Sequence, residues 1–364
     1  MSQNGTDHSE QNPLNRKKKY NEAVISLGLI IASLLFVFLV CETLFRVRSM
    51  LYPLQLSDVI VQDAGLGWKA RPNYSFTGKE KDFSGIEFDL EIVTDAEGFR
   101  EFGTGPGPCK VLFLGDSFTF AKDVSQEHTY YRFAAEKAPI TLYAHGTDGH
   151  GTLQEYLALQ EWLEKLQPRV VVLQLCYNDF IDNHLELNKN SVQSQCHVPQ
   201  PFLLPDNTIH YLNPGDGRIT QTVGWFPSEL LRSLAYRIDN RHGFPDREKA
   251  SETLIENGDP AATVLFEESK KITSLIMKRI RKACGSIPIL AFDVSTKEPY
   301  FSAFKEICAE NDIQFLDEIA RTLQERSASG NNIFASDGGH WNRLGHQICG
   351  EILVEYLKDL CIDK

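Results

Sequence analysis

The chain has 364 residues, 42% hydrophobic and 24% charged, with a net charge of −12. This is ordinary globular composition, with length for one large domain or two modest ones. The 49 acidic residues against 37 basic ones exclude a general nucleic-acid binder, which needs a basic face.

Residues 1–20 are polar, end on Arg16-Lys17-Lys18-Lys19, and are expected to be a disordered cytoplasmic tail. Residues 21–41 are expected to be a transmembrane anchor. The run 23–41 (AVISLGLIIASLLFVFLVC) carries no charge, and at about 1.5 Å per residue it fits a hydrocarbon core of about 30 Å. The denser basic cluster precedes it, so the N-terminus is expected in the cytoplasm and the rest outside, periplasmic or extracellular. No A-x-A-like cleavage site follows, and Val40 is bulky for the position before a lipoprotein cysteine, so the span reads as uncleaved. A buried core helix is the competing reading.

Residues 42–107 are expected to form a juxtamembrane extension. It holds Leu66-Gly67-Trp68, Arg71-Pro72-Asn73, an alternating strand at 86–93 and Gly98-Phe99-Arg100, and ends in a Gly/Pro linker at 103–108. The main domain is expected at 108–364. Short apolar runs at 110–114, 140–143, 170–175, 287–292 and 313–316 read as strands buried on both faces. Helices are expected at 152–166, with Thr152 as N-cap, at 263–283 closed by Gly285, at 302–311 and at 344–360. This alternation predicts an α/β fold, a parallel sheet with helices on both faces. An insertion at 181–260 breaks the rhythm, with a hairpin at 202–211 and a helix near 228–237. A surface insertion and a lid over the site both fit it.

Eight cysteines show no C-x-x-C spacing, which argues against a zinc or redox site. Outside the cytoplasm disulfides are permitted. Cys176 and Cys196 are a candidate pair, and buried free thiols are the alternative.

Four segments fall at ends of expected strands, where open α/β sheets place their sites. Gly115-Asp116-Ser117 offers a hydroxyl nucleophile, although alone it reads first as a helix cap. The turn from Gly146 through Gly149 to Gly151 lets backbone approach a ligand closely; it lacks the lysine and spacing of a phosphate loop. Tyr177-Asn178-Asp179 offers an amide donor or a plain turn. Asp337-Gly338-Gly339-His340 offers a base and the carboxylate that orients it.

Each segment is weak alone, but their order resembles one family, the GDSL or SGNH hydrolases, named for Ser, Gly, Asn and His in four blocks. Ser117, Gly149, Asn178 and His340 match those blocks. The resemblance runs from about residue 108 to the end. Leu66-Gly67-Trp68, Arg71-Pro72-Asn73 and Gly98-Phe99-Arg100 look like the extension of bacterial membrane-anchored members. Cys176 stands where the third block usually has glycine, and Phe118 where the first usually has leucine.

The resemblance implies a flavodoxin-like three-layer fold and ester hydrolysis through a Ser117–His340–Asp337 triad. It implies an oxyanion hole made by the N–H groups of Ser117 and Gly149 and the Asn178 amide, with no cofactor and no metal. The implied substrate is an acylated carbohydrate or lipid. An O-acyltransferase passing the acyl group from the serine to a polysaccharide shares this chemistry. A non-catalytic binding module on the same fold is the third reading. His145 and His150 flank the glycine turn and are expected to line the pocket, and His346 to pack in or cap the last helix.

Overall fold

A computed structural model describes residues 13–51, 59–81, 85–192, 199–213, 218–223, 227–239 and 247–361. Cys196, most of the expected N-terminal tail, and one end of the Cys176–Cys196 pair lie outside these residues. Within them, residues 13–20 are helical rather than disordered, because they continue the helix Pro13–Leu51. The chain divides into two compact units, residues 1–54 with 217–241, and residues 55–216 with 242–364.

In the first unit, the helix Pro13–Leu51 includes a stretch, Tyr20–Arg48, long and apolar enough to cross a membrane. Its large apolar side chains are exposed to the surroundings, Phe36 at 68% and Leu34 at 65%. A core helix would bury such side chains, and within this unit they are not buried.

The second unit is built on a six-stranded sheet. Its order is Gln314–Phe315, Ile289–Asp293, Val170–Leu175, Cys109–Gly115, Ile140–Gly146, Glu101–Thr104. The first five are parallel, and Glu101–Thr104 pairs antiparallel with Ile140–Gly146. All five expected strands are present; the antiparallel edge strand is additional. It is short and only partly buried, so it carries no continuous apolar run to mark it.

Alternation explains the three layers. Leu112 and Leu114 point into one apolar cluster with the helices Thr152–Leu166, Pro260–Cys284 and Tyr300–Glu310. Val111 and Phe113 point into the other, with Tyr130–Lys137, Asp317–Ala328 and Arg343–Cys361. Side chains on successive strand residues leave opposite faces, so strands buried on both sides read as unbroken apolar runs. The helix expected from a Thr152 cap is instead capped at Gly151, whose N–H donates to Gln154 Oε1 at 3.0 Å.

Residues of the extension pack onto this unit. Trp68 Nε1 donates to the Asp148 carbonyl at 2.8 Å, and Gln154 Nε2 to the Leu66 carbonyl at 2.7 Å. Arg100, 2% exposed, reaches the carbonyls of Phe120, Ala121 and Val124 and the Gln126 side chain. It thereby holds the segment that follows Ser117.

Cys109, at the start of a central strand, forms a disulfide with Cys361, at the end of the last helix, across 252 residues. Cys176, half of the candidate pair, is a buried free thiol. The bond closes nearly the whole unit, so loop entropy gives it at most about 5 kcal/mol. Cys361→Ser is expected to lower the unfolding temperature, and added reductant to lower that of the wild type but not of the variant. Thermal unfolding with and without reductant measures this.

Candidate active site

Strand Cys109–Gly115 ends at the sheet's carboxyl edge and turns at once into the short helix Ser117–Phe120. The turn is tight because a Cβ at Gly115 would lie 2.2 Å from Thr119 Oγ1 and 2.3 Å from Gln174 Oε1. Asp116 caps the helix, accepting from the Phe118 N–H at 2.9 Å. The buried Gln174 accepts from the N–H groups of Asp116 and Thr119 at 3.0 and 3.1 Å. The cap expected of the serine is thus supplied by Asp116. Ser117 takes the first helical position, with its hydroxyl free for another partner.

That partner is His340. Its Nε2 lies 2.8 Å from Ser117 Oγ, and its Nδ1 is hydrogen-bonded to Asp337 Oδ2. The loop carrying them is closed by a bridge between Phe334 and Trp341 and by the Ala335 N–H to the His340 carbonyl at 2.8 Å. Asn342 then caps the last helix through the Leu344 N–H at 2.9 Å. Phe118 packs on the His340 ring with centroids 5.0 Å apart.

Burial would raise the Asp337 carboxyl. The hydrogen bonds from the His340 ring and from the N–H groups of Gly339 and His340 outweigh it and hold the carboxyl at about 2. The sign follows directly. A depressed folded value stabilises the fold above the ordinary 3.8, and the contribution is lost as pH falls from there through about 2. Asp337→Asn is therefore expected to be less stable than wild type near neutrality, with the gap closing over that acid window. Unfolding temperatures measured across pH test this.

Ser117, Gly149, Asn178 and His340 all line one cavity of about 790 Å³. Gly149 has φ +72, a left-handed conformation that favours glycine. Asn178 opens a helix that runs to Asp182 and donates from Nδ2 to Asp182 Oδ2 at 3.0 Å. An amide has two hydrogens, so one remains for a ligand. The cavity lining includes the apolar side chains of Phe118, Val294, Leu323, Ile333 and Phe334. The hairpin of Gln200–Leu203 with Ile209–Leu212 does not line this cavity.

His145 and His150, expected in the pocket wall, are buried outside it. Burial lowers their basicity, to about 4 and about 3. His150 Nε2 bonds the Trp68 carbonyl at 2.8 Å, so these rings support the glycine turn from behind. His346 packs against Trp341 and accepts from the Tyr130 N–H at 3.3 Å, as expected of a packing residue.

Two residues near the site were not expected there: Trp68 was read only as part of the extension, and Asp123 carried no sequence signal. Trp68, from the extension, lines the cavity beside Gly149. Asp123 Oδ2 lies 3.8 Å from His340 Nδ1, giving the imidazole a second carboxylate. Asp123, Asp337 and His340 also form the one group of potential metal donors among the described residues, with donor atoms within 4.8 Å of one another. The Asp337 hydrogen bond already occupies the Nδ1 that an ion would need.

Behind Ser117, burial raises Asp116 to about 6, and raises Glu155 and Asp179 well above the usual carboxylate range. Their mutual charge repulsion adds to this.

No family model matches the chain, and no curated protein matches it. Solved structures do. One is a psychrotrophic esterase from Pseudoalteromonas sp., 13% identical over 69% of this chain and 97% of that one, with a TM-score of 0.37. Another is a family 3 carbohydrate esterase from Clostridium thermocellum, 13% identical over 70% and 98%, with a TM-score of 0.37. A third is an alpha/beta hydrolase enzyme from the metagenome of Lake Arreo, 11% identical over 71% and 98%, with a TM-score of 0.38. Likenesses at this level say nothing by themselves about the chemistry of this chain.

Proposed function

We propose that the chain is a serine esterase of the SGNH type, held at a membrane by its N-terminal helix. The carrying observation is the 2.8 Å contact between Ser117 Oγ and His340 Nε2, with Asp337 on the opposite ring nitrogen. A hydroxyl becomes a nucleophile when an adjacent base takes its proton, and the base works when its other nitrogen is held.

Ser117 Oγ attacks the acyl carbonyl while His340 Nε2 takes its proton. Asp337 holds the Nδ1–H and stabilises the imidazolium that forms. The N–H groups of Ser117 and Gly149 and the Asn178 amide face the developing oxyanion. His340 then returns the proton to the departing alcohol, leaving an acyl-Ser117 ester. Water attacks this ester by the reverse sequence and frees the acid. Each oxyanion donor contributes about 3–4 kcal/mol to lowering the barrier.

The substrate class follows from the cavity lining, in which apolar side chains such as Leu323 and Ile333 suit an acyl group and polar ones such as Asn178 and Asp182 suit a polar alcohol moiety. An acylated carbohydrate or lipid meets both needs. The apolar helix and the Cys109–Cys361 disulfide support an extracytoplasmic catalytic unit, because disulfides persist in oxidising compartments.

The full chain in detergent, given p-nitrophenyl acetate and a fluorophosphonate probe, tests the reading. The expected result is turnover together with probe attached at Ser117. No labelling of Ser117 in a folded chain sinks it. Acyl transfer to an added glycan, with no free acid formed, would reassign the same site to a transferase.

A further inference from the structure

The anchor helix and the segment 217–241 belong to one compact unit, and what joins them is Glu42. It is the first charged residue after the apolar run 23–41. A residue there normally faces water, yet Glu42 is only 9% exposed. Its Oε2 accepts from Ser228 Oγ at 2.8 Å and from the Leu230 N–H at 3.1 Å, and its Oε1 from the Glu229 N–H at 3.1 Å. Arg46, one turn further on, donates to Glu42 Oε1 at 2.6 Å and to the Pro227 carbonyl. Glu42 is therefore the N-terminal cap of a second helix, Glu229–Asp239. A carboxylate at that end satisfies free N–H groups and opposes the helix dipole favourably.

The second helix (ELLRSLAYRID) is two-faced. Ala235 is 2% exposed, whereas Leu234 and Ile238, four residues apart on one side, are 53% and 44% exposed. Arg237 borders that side, whereas Arg232, two residues before Leu234, leaves the opposite side; both are exposed. An apolar stripe with an arginine at its edge and a polar face opposite fits a helix lying in the plane of a bilayer surface, with the Arg237 guanidinium at lipid phosphates. The depth is set by the cap. Glu42 ends the apolar run, so it stands at the edge of the hydrocarbon, and the helix it caps starts at the same level.

We infer that helix Glu229–Asp239 is an in-plane membrane helix, with its Leu234–Ile238 face seated among phospholipid headgroups and upper acyl chains. The inference rests on the reading of Pro13–Leu51 as membrane-spanning. It gives part of the insertion 181–260 a role distinct from a lid. The chain of the catalytic unit would be tied to the bilayer at two points, before residue 55 and at 217–241.

The test places an environment-sensitive fluorescent amino acid, one site at a time, in the full chain reconstituted into phosphatidylethanolamine–phosphatidylglycerol vesicles. The sites are Leu34, Leu234, Ile238, Arg232 and Glu355, the last an exposed control in the catalytic unit. Each labelled chain is first checked for unchanged thermal unfolding. Nitroxide lipids then quench from shallow or deep positions. The expected result is deep quenching at 34. At 234 and 238 a blue shift is expected, with more than half the intensity lost to shallow quenchers. Emission at 232 and 355 should stay water-like. Water-like emission at 234 and 238 with quenching at 34 overturns the inference and leaves the anchor standing. A blue shift at 234 and 238 without lipid quenching also overturns it, because protein, such as a second copy, then covers the face. Absence of quenching at 34 overturns the anchor and the inference together.

Discussion

Ser117→Ala is expected to reduce kcat for p-nitrophenyl acetate by about 10⁶-fold, the scale on which serine hydrolases lose their nucleophile. The residual rate should stay about 10³-fold above water, because the oxyanion donors and the cavity remain. The fold should not suffer. The strand-to-helix turn is held by the Asp116 cap and by the three hydrogen bonds that Gln174 accepts, from Asp116 and Thr119, none of which uses the Ser117 side chain. The unfolding temperature of the variant should match wild type, within about 0.5 kcal/mol of stability. Steady-state kinetics beside a thermal melt measures both. Unchanged turnover in the alanine variant removes Ser117 from the chemistry.

Asp337→Asn is expected to cost about 10⁴-fold in kcat with little change in KM, because an amide favours the wrong imidazole tautomer. Asp337→Ala should cost less than Asp337→Asn. Removing the side chain opens space next to His340 Nδ1, and Asp123 Oδ2 already lies 3.8 Å from that nitrogen. A modest shift of Asp123 then restores a carboxylate acceptor. Burial raises the Asp123 carboxyl, with the His340 charge opposing it. The rescued activity should therefore fade faster on the acid side than in wild type, where Asp337 stays ionised down to about 2. Asp123→Ala alone should change kcat by less than about tenfold, and the double variant should fall below Asp337→Ala. Additive losses in the double-mutant cycle would show that the two carboxylates act independently. Equal activity of Asp337→Asn and Asp337→Ala would remove Asp123 from this role.

Much of the molecule could be read in the sequence. The five parallel strands declared themselves because a strand buried on both faces has no polar side to interrupt it. The long helices were legible through their apolar spacing, and Pro260–Cys284 through its Gly285 stop as well. Other features had no local signature. Glu101–Thr104 is a short edge strand with two exposed residues, so its pattern is no different from a loop. The Cys109–Cys361 bond joins residues 252 apart, and spacing holds no information about partners at that range.

The site divides in the same way. The sequence by itself determined which side chains could do the chemistry. Ser117, Asn178 and the Asp337–His340 pair each follow a strand or precede a helix, where a short polar segment interrupts apolar runs. It could not decide whether Ser117 was a cap or a partner of His340. That depended on Asp116 taking the cap and on a loop 223 residues away reaching the hydroxyl. Tertiary structure alone moved His145 and His150 out of the pocket, because burial against Phe99 and Trp68 is a property of the packed extension. It alone placed Asp123 beside the imidazole and turned Glu42 from a flanking charge into a helix cap. Local sequence fixes what a segment can form, but a hydrogen bond between distant segments exists only after the chain has folded.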